Sequence, residues 1–204
     1  MLDQLFKSTV LLYTADQNCS ESLWSEILKN YSEKKRHYHT LSHLENLWTE
    51  LMAVKNLISD RDVVVFALFY HDLVYKSTAS DNEEKSAARA KERLQEISFP
   101  QLKINKCADL ILATKGHTIS ADSDTNLFTD ADLSILGKPW PLYEEYFRNV
   151  RKEYSIYPDF LYNPGRKKVL RHFLTMDRIF KTDRFYELYE TQARENLRSE
   201  IEKL

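Results

Sequence analysis

Histidine and aspartate supply much of the metal-binding and proton-transfer chemistry open to a protein, and in this chain they gather in three short groups. His39 and His43 stand four apart in YHTLSHLENLW. On a helix that spacing sets both side chains on one face, about 5–6 Å apart at Cβ; the same pair also reads as two half-buried histidines at a helix start. His71-Asp72 closes the most hydrophobic run of the chain, VVVFALFYHD. An imidazole and a carboxylate at the end of a buried segment need partners, because an unpaired buried charge is expensive. A His–Asp hydrogen bond or an aspartate cap on the next turn is one answer. A divalent metal, taken by neutral imidazole nitrogen and carboxylate oxygen, is the other. Asp130 and Asp132 in FTDADLSILG ask for a counter-charge in the same way. Without a cation, Asp130 would cap a helix and Asp132 would pair with an arginine.

Helices have to position these groups. The chain has 204 residues, 43% of them hydrophobic, which is one domain's worth of core. Only Gly116, Gly137 and Gly165 are glycine. Such scarcity disfavours turn-dense β-sandwiches and barrels and excludes glycine-rich phosphate loops. Apolar residues recur at helical spacing after Ser20, after Thr40 or Ser42, and after Asp60, each a candidate cap. The run VVVFALFYHD is consistent with a buried strand or a buried helix; helix is preferred because no second strand of similar strength exists to pair with it. Asp81-Asn82-Glu83-Glu84 marks a further helix start. Additional helices are expected over 102–114, 127–136, from Pro139 to Tyr154, and over about 159–180 and 183–203, the last capped by Asp183. The expectation is an all-α single domain, residues 1–204, of about eight or nine helices, with a core at 36–137 and C-terminal helices at 139–204 packing on it.

The formal charge of −2 argues against a dedicated nucleic-acid coat or a membrane-surface binder. Cys19 and Cys107 form no C-x-x-C pair and read as reduced thiols. No signal-peptide pattern opens the chain, and no apolar run is long enough to span a bilayer. The expected setting is the cytoplasm.

In order and context, His43, His71-Asp72 and Asp132 resemble the HD superfamily of metal-dependent phosphohydrolases, named for the His-Asp doublet. YHTLSH resembles the Y-H-x-x-x-H element of the cyclic-nucleotide phosphodiesterases in that superfamily, and ADLS resembles the segment that supplies their last metal aspartate. YHDLVY, NEEKSA, DADLSILG, PGRKKVL and ARENL further resemble a bacterial subgroup of predicted HD phosphohydrolases. The resemblance implies an HD-type helical bundle in which His43, His71, Asp72 and Asp132 hold one divalent metal, with Asp130 the alternative last ligand. The ion would be Mn, Ni, Co, Mg, Zn or Fe. His39 matches the histidine that protonates the leaving oxygen. Where the dinuclear phosphodiesterases carry another histidine soon after the doublet, this chain has Leu73-Val74-Tyr75, which favours a mononuclear site.

Three more residues are candidates. Glu83 would orient water, or would only suit a helix dipole. His117 in ATKGHT would bind phosphate or a second metal, or end a helix. Arg166, placed after Pro164-Gly165 at an expected turn, would bring charge to a phosphate. The implied reaction is hydrolysis of a phosphate ester of a nucleotide or another small phosphorylated compound. Two alternatives stay open: a di-iron oxygenase-like HD protein, and a catalytically inactive nucleotide-binding regulatory module.

Overall fold

The run VVVFALFY folds as a helix. Asp60 accepts the Val63 backbone N–H and caps it, and the chain contains no strand to pair with it. The structure, a computed structural model, describes all residues 1–204. The α-helices are α1 Leu2–Val10, α2 Gln17–Tyr31, α3 Leu41–Ala53, α4 Arg61–Tyr70, α5 Asn82–Glu96, α6 Gln101–Ala113, α7 Ser123–Leu133, α8 Trp140–Glu153, α9 Asp159–Thr175 and α10 Asp183–Lys203. Short 3-10 turns cover Lys55–Leu57 and Ser134–Gly137. The all-α class is as expected. The additional helix is α1, which buries Leu2, Phe6 and Val10 along one face.

Contacts divide the chain into two compact units, Met1–Thr129 and Asp130–Leu204, and the cut falls inside the continuous helix α7. In the first unit α4 is the hub, packing against α1, α3, α5 and α6. Its residues Val63 to Tyr70 are all buried. A helix that is apolar on every side belongs in the middle of a core, and its end delivers His71-Asp72 there. The first turn of α7 is pinned to the start of α4. Asp124, fully buried, accepts the Ser59 and Asp60 backbone N–H groups at 2.7 and 2.9 Å and the Lys106 ammonium at 2.7 Å. At the other end of the doublet loop, the Ser86 hydroxyl of α5 accepts the Val74 N–H at 3.0 Å and donates to the Val74 carbonyl at 3.3 Å.

In the second unit α10 packs on α9 and on the Ser134–Gly137 turn, which α8 also contacts. Two expectations are corrected here. Pro164-Gly165 is not a turn but lies inside α9. The carbonyl that Pro164 leaves without an N–H partner belongs to Phe160, which is well exposed, so water can satisfy it. Helix α9 also ends at Thr175 rather than near 180. Residues 176–182 are held by α10 and α7 instead. Arg194 donates to the Leu174 and Met176 carbonyls, the Glu190 carboxylate accepts the Ile179 and Phe180 N–H groups, and Asp130 accepts those of Lys181 and Thr182.

Gly137 is required by close approach. A Cβ there would come within 2.7 and 2.8 Å of the Tyr189 carbonyl oxygen and Cα on α10. The backbone cannot yield as a flexible side chain would. Gly137→Ala should therefore destabilise the protein by about 1–3 kcal/mol, read as a lowered midpoint in chemical denaturation. An unchanged midpoint would mean that α10 shifts freely against the turn.

Candidate metal centre

His71 follows α4 directly and is 1% exposed. Its Nδ1 lies 2.9 Å from the Leu68 carbonyl oxygen. A carbonyl can only accept, so Nδ1 carries the proton and Nε2 of the neutral ring presents a lone pair. That lone pair faces Nε2 of His43, 3.1 Å away, on the first turn of α3. The Asp72 Oδ2 lies 3.1 Å from the His71 Nε2 and 3.8 Å from the His43 Nε2. Two inward-facing imidazole nitrogens and a carboxylate oxygen in a buried place need a proton or a cation between them. Burial raises the Asp72 pKa, but the surrounding imidazoles, His71 foremost and then His39 and His43, pull it far below the ordinary carboxylate range.

Asp132 rides on the last turn of α7. Phe128, one turn earlier, meets the His71 ring edge-on with centroids 5.7 Å apart. Residues four apart on a helix share a face, so Asp132 leaves α7 on the same side as Phe128. One ligand atom each of His43, His71 and Asp132 lies within 4.8 Å of the others. Asp130 is elsewhere engaged. Its Oδ1 accepts the Lys181 N–H at 2.8 Å, and its Oδ2 accepts the Thr182 N–H and hydroxyl at 2.7 Å each. It holds the segment leading into α10, where Thr182 is the N-cap. Of the two candidates for the last ligand, Asp130 has its oxygens occupied, and Asp132 is the one grouped with His43 and His71 as able to hold an ion.

His39 is not on a helix. It sits in a bend before Thr40, the N-cap of α3, so helical i, i+4 geometry does not explain its closeness to His43. The two rings are nonetheless 5.9 Å apart, and the His39 Nε2 reaches to 4.0 Å from the Asp72 Oδ2. Its side chain keeps 19% exposure, against 4% for His43. It stands at the mouth of the cluster rather than inside it. The His39 ring lies on Tyr75, with centroids 4.1 Å apart and planes inclined by 30°. Buried Arg36 reaches the same place, donating from Nη1 to the Asp72 carbonyl at 2.7 Å and the His39 carbonyl at 3.3 Å, and from Nη2 to the Leu73 carbonyl at 2.8 Å. Neither Arg36 nor Tyr75 is singled out by sequence reasoning. Among Lys34, Lys35 and His37, which are all exposed, Arg36 looks like one more surface cation. The one available signal is the aromatic Tyr75 shortly after the doublet.

The remaining candidates separate. Glu83, half-buried in the first turn of α5, has its pKa raised by burial, with Asp72 acting in the same direction and Lys115 against it. It therefore lies within electrostatic reach of the doublet. Its neighbour Glu84 points to an ion pair with Lys115. His117 adopts a left-handed backbone, φ 48°, and donates its N–H to the Ala113 carbonyl at 2.9 Å, so its backbone terminates α6. Arg166 is buried against Glu200, with Nε to Oε1 at 2.7 Å and Nη2 to Oε2 at 3.0 Å. Its charge is met by a carboxylate of its own unit and is not available to a phosphate.

No protein-family model, no curated protein and no solved structure matches the chain. The site therefore stands on its own geometry. Two substitutions separate the aspartates of α7. Asp132→Asn should lower metal content, read by elemental analysis, by about tenfold or more with little change in unfolding temperature. Asp130→Ala should keep the metal and lose stability, because it strands the backbone donors before α10, at about 1–3 kcal/mol for such a group. The reverse pattern would exchange the two roles.

Proposed function

We propose that the protein is a metal-dependent phosphohydrolase of the HD type, acting on a phosphate ester of a nucleotide or another small phosphorylated compound. The carrying observation is the convergence of His43 and His71, Nε2 to Nε2 at 3.1 Å, with Asp72 and Asp132 beside them and a partly exposed His39 at the edge. The donor set fits a single divalent ion. Two imidazole nitrogens and two carboxylates form a mixed N/O set that suits Mn, Fe, Co, Ni or Zn, and Mg less well. The proton on His71 Nδ1 is already committed to the Leu68 carbonyl, which leaves Nε2 for the ion. A divalent ion held there would polarise a phosphoryl oxygen and lower the pKa of water towards neutrality.

The chain's own residues do the rest. Asp72, kept ionised by its surroundings, adds a negative charge beside the two ring nitrogens, where a cation would be held. His39 is exposed enough to meet a substrate and close enough to Asp72 to be oriented. In this reading it gives a proton to the leaving oxygen, a step suited to a group that titrates near neutral pH. Glu83, whose carboxyl is raised by burial and by the charge of Asp72, is in this reading the group that accepts a proton from water. Two unpaired cysteines, Cys19 and Cys107, suit a cytoplasmic setting. No helix is long and apolar enough to cross a membrane.

The test is elemental analysis of the purified protein, followed by a phosphate-release screen over nucleotides and simple phosphate esters with added Mn²⁺, Ni²⁺, Co²⁺ or Mg²⁺. Asp72→Ala should lose metal and turnover together; full activity in that variant would remove the proposed centre. His39→Ala should keep the metal and lose about 10²–10⁴-fold in turnover of esters with poor leaving groups. Loss of metal in His39→Ala with retention in His43→Ala would reverse the two assignments.

A further inference from the structure

We infer that Arg36 and Tyr75 form a positioning device for His39, holding its ring beside the Asp72 carboxylate independently of the metal ligands. The inference rests on the reading of His39 as the proton donor and names what makes that role possible.

Arg36 is 6% exposed, and no carboxylate pairs with it. Its guanidinium meets three carbonyl oxygens, those of His39, Asp72 and Leu73, and lies over the rings of Tyr31 and Tyr75 at 4.9 and 5.5 Å from their centroids. Its Nε is buried with no hydrogen-bond partner. Burying a cation without an anion is a poor way to gain stability, since an apolar residue of similar volume would serve better. The choice of carbonyls explains the arrangement. One belongs to the bend that carries His39, and two belong to the turn that carries the doublet. The bend has no helix or strand of its own to fix it. Arg36 therefore ties the proton donor to the carboxylate that orients it, and its planar fork can bond several carbonyls at once where a lysine bonds from one point.

Tyr75 completes the device from the other side. It belongs to the loop after the doublet, which is fixed at two places. Ser86 bonds both the N–H and the carbonyl of Val74. The Asn82 side chain accepts the Lys76 N–H at 3.1 Å and donates to the Lys76 carbonyl at 3.0 Å. A ring on so rigid a loop gives His39 a fixed surface to lie on. The demand for such a surface is steep, because a misplacement of about 1 Å can cost on the order of 10²-fold in rate. His43 and His71 do not depend on it. They sit on α3 and at the end of α4, and their rings face each other.

The experiment compares Arg36→Gln, Arg36→Lys and Tyr75→Leu with the wild-type protein by three measurements: the proton NMR shifts of the His39 ring, metal content, and turnover of an alkyl phosphate against p-nitrophenyl phosphate. In the wild type, Tyr75 should shift the His39 ring protons upfield. Arg36→Gln and Tyr75→Leu should bring them back towards the values of a free histidine and leave metal content unchanged. Turnover of the alkyl phosphate should fall about tenfold or more, while the nitrophenyl ester, whose leaving group needs no proton, changes much less. Arg36→Lys should recover part of both the shift and the rate. Wild-type His39 shifts in both Arg36→Gln and Tyr75→Leu, or equal losses on the two esters, would overturn the inference. Should Arg36→Gln fail to fold, Tyr75→Leu decides alone. If the wild type releases no phosphate from any ester, the functional reading fails, and the NMR shifts still decide the positioning role.

Discussion

The structure of the first unit turns on how a fully apolar helix ends. Helix α4 is buried over its last eight residues, and a helix end in a core leaves carbonyls without partners. His71 meets this locally, donating Nδ1–H to the Leu68 carbonyl. That hydrogen bond decides which nitrogen carries the proton, and so leaves the helix end with a lone pair turned towards His43. With the proton on Nε2 instead, the Nδ1 lone pair would face the Leu68 carbonyl and the inward nitrogen would carry a proton. The same bond thus settles the helix terminus and sets the chemistry of the site.

Helix α7 shows how one element separates structural from chemical carboxylates. Residues two apart on a helix diverge by about 200° around its axis, so Asp130 and Asp132 cannot serve one centre. Asp124 and Asp130 are buried and filled with donors, Ser59, Asp60 and Lys106 for the first and Lys181 and Thr182 for the second. Each has its lone pairs occupied and little capacity left for a cation. Asp132 shares its face with Phe128, which lies on His71. The hydrophobic contact of Phe128 and the direction of Asp132 are one consequence of the same helical phase.

The helical class was legible because the signals are local. Asp60 before an apolar run, Pro100 before α6 and acidic residues at the head of α5 act within a turn or two. The doublet stands out in the sequence because an imidazole and a carboxylate close an apolar run, whereas the choice of Asp132 over Asp130 comes from the resemblance of ADLS and not from the local pattern. What stayed hidden depends on distant partners. Arg166 reads as a cation offered to a phosphate, yet it is buried against Glu200, one helix further on. His39 and His43 looked like a helical pair, yet His39 precedes the helix and reaches the site through a bend. Arg36 sits among exposed basic residues, and its destination is a set of carbonyls on the doublet turn. Nothing in the local pattern distinguishes a cation that will be buried from one that will be solvated.

Proton and cation compete for the same positions in this cluster. With the His71 Nδ1 proton engaged, His71 and His43 place two ring nitrogens 3.1 Å apart. Two lone pairs at that separation repel, so one must hold a proton or both must face a positive ion. Asp72 belongs to the same balance: its carboxyl is depressed by the charges that protonated imidazoles would bring, and a divalent ion would depress it in their place. Ionised Asp72 and neutral imidazoles are what a metal requires. Asp72, held ionised by the same surroundings, is the constant partner of whichever of the two occupies the centre.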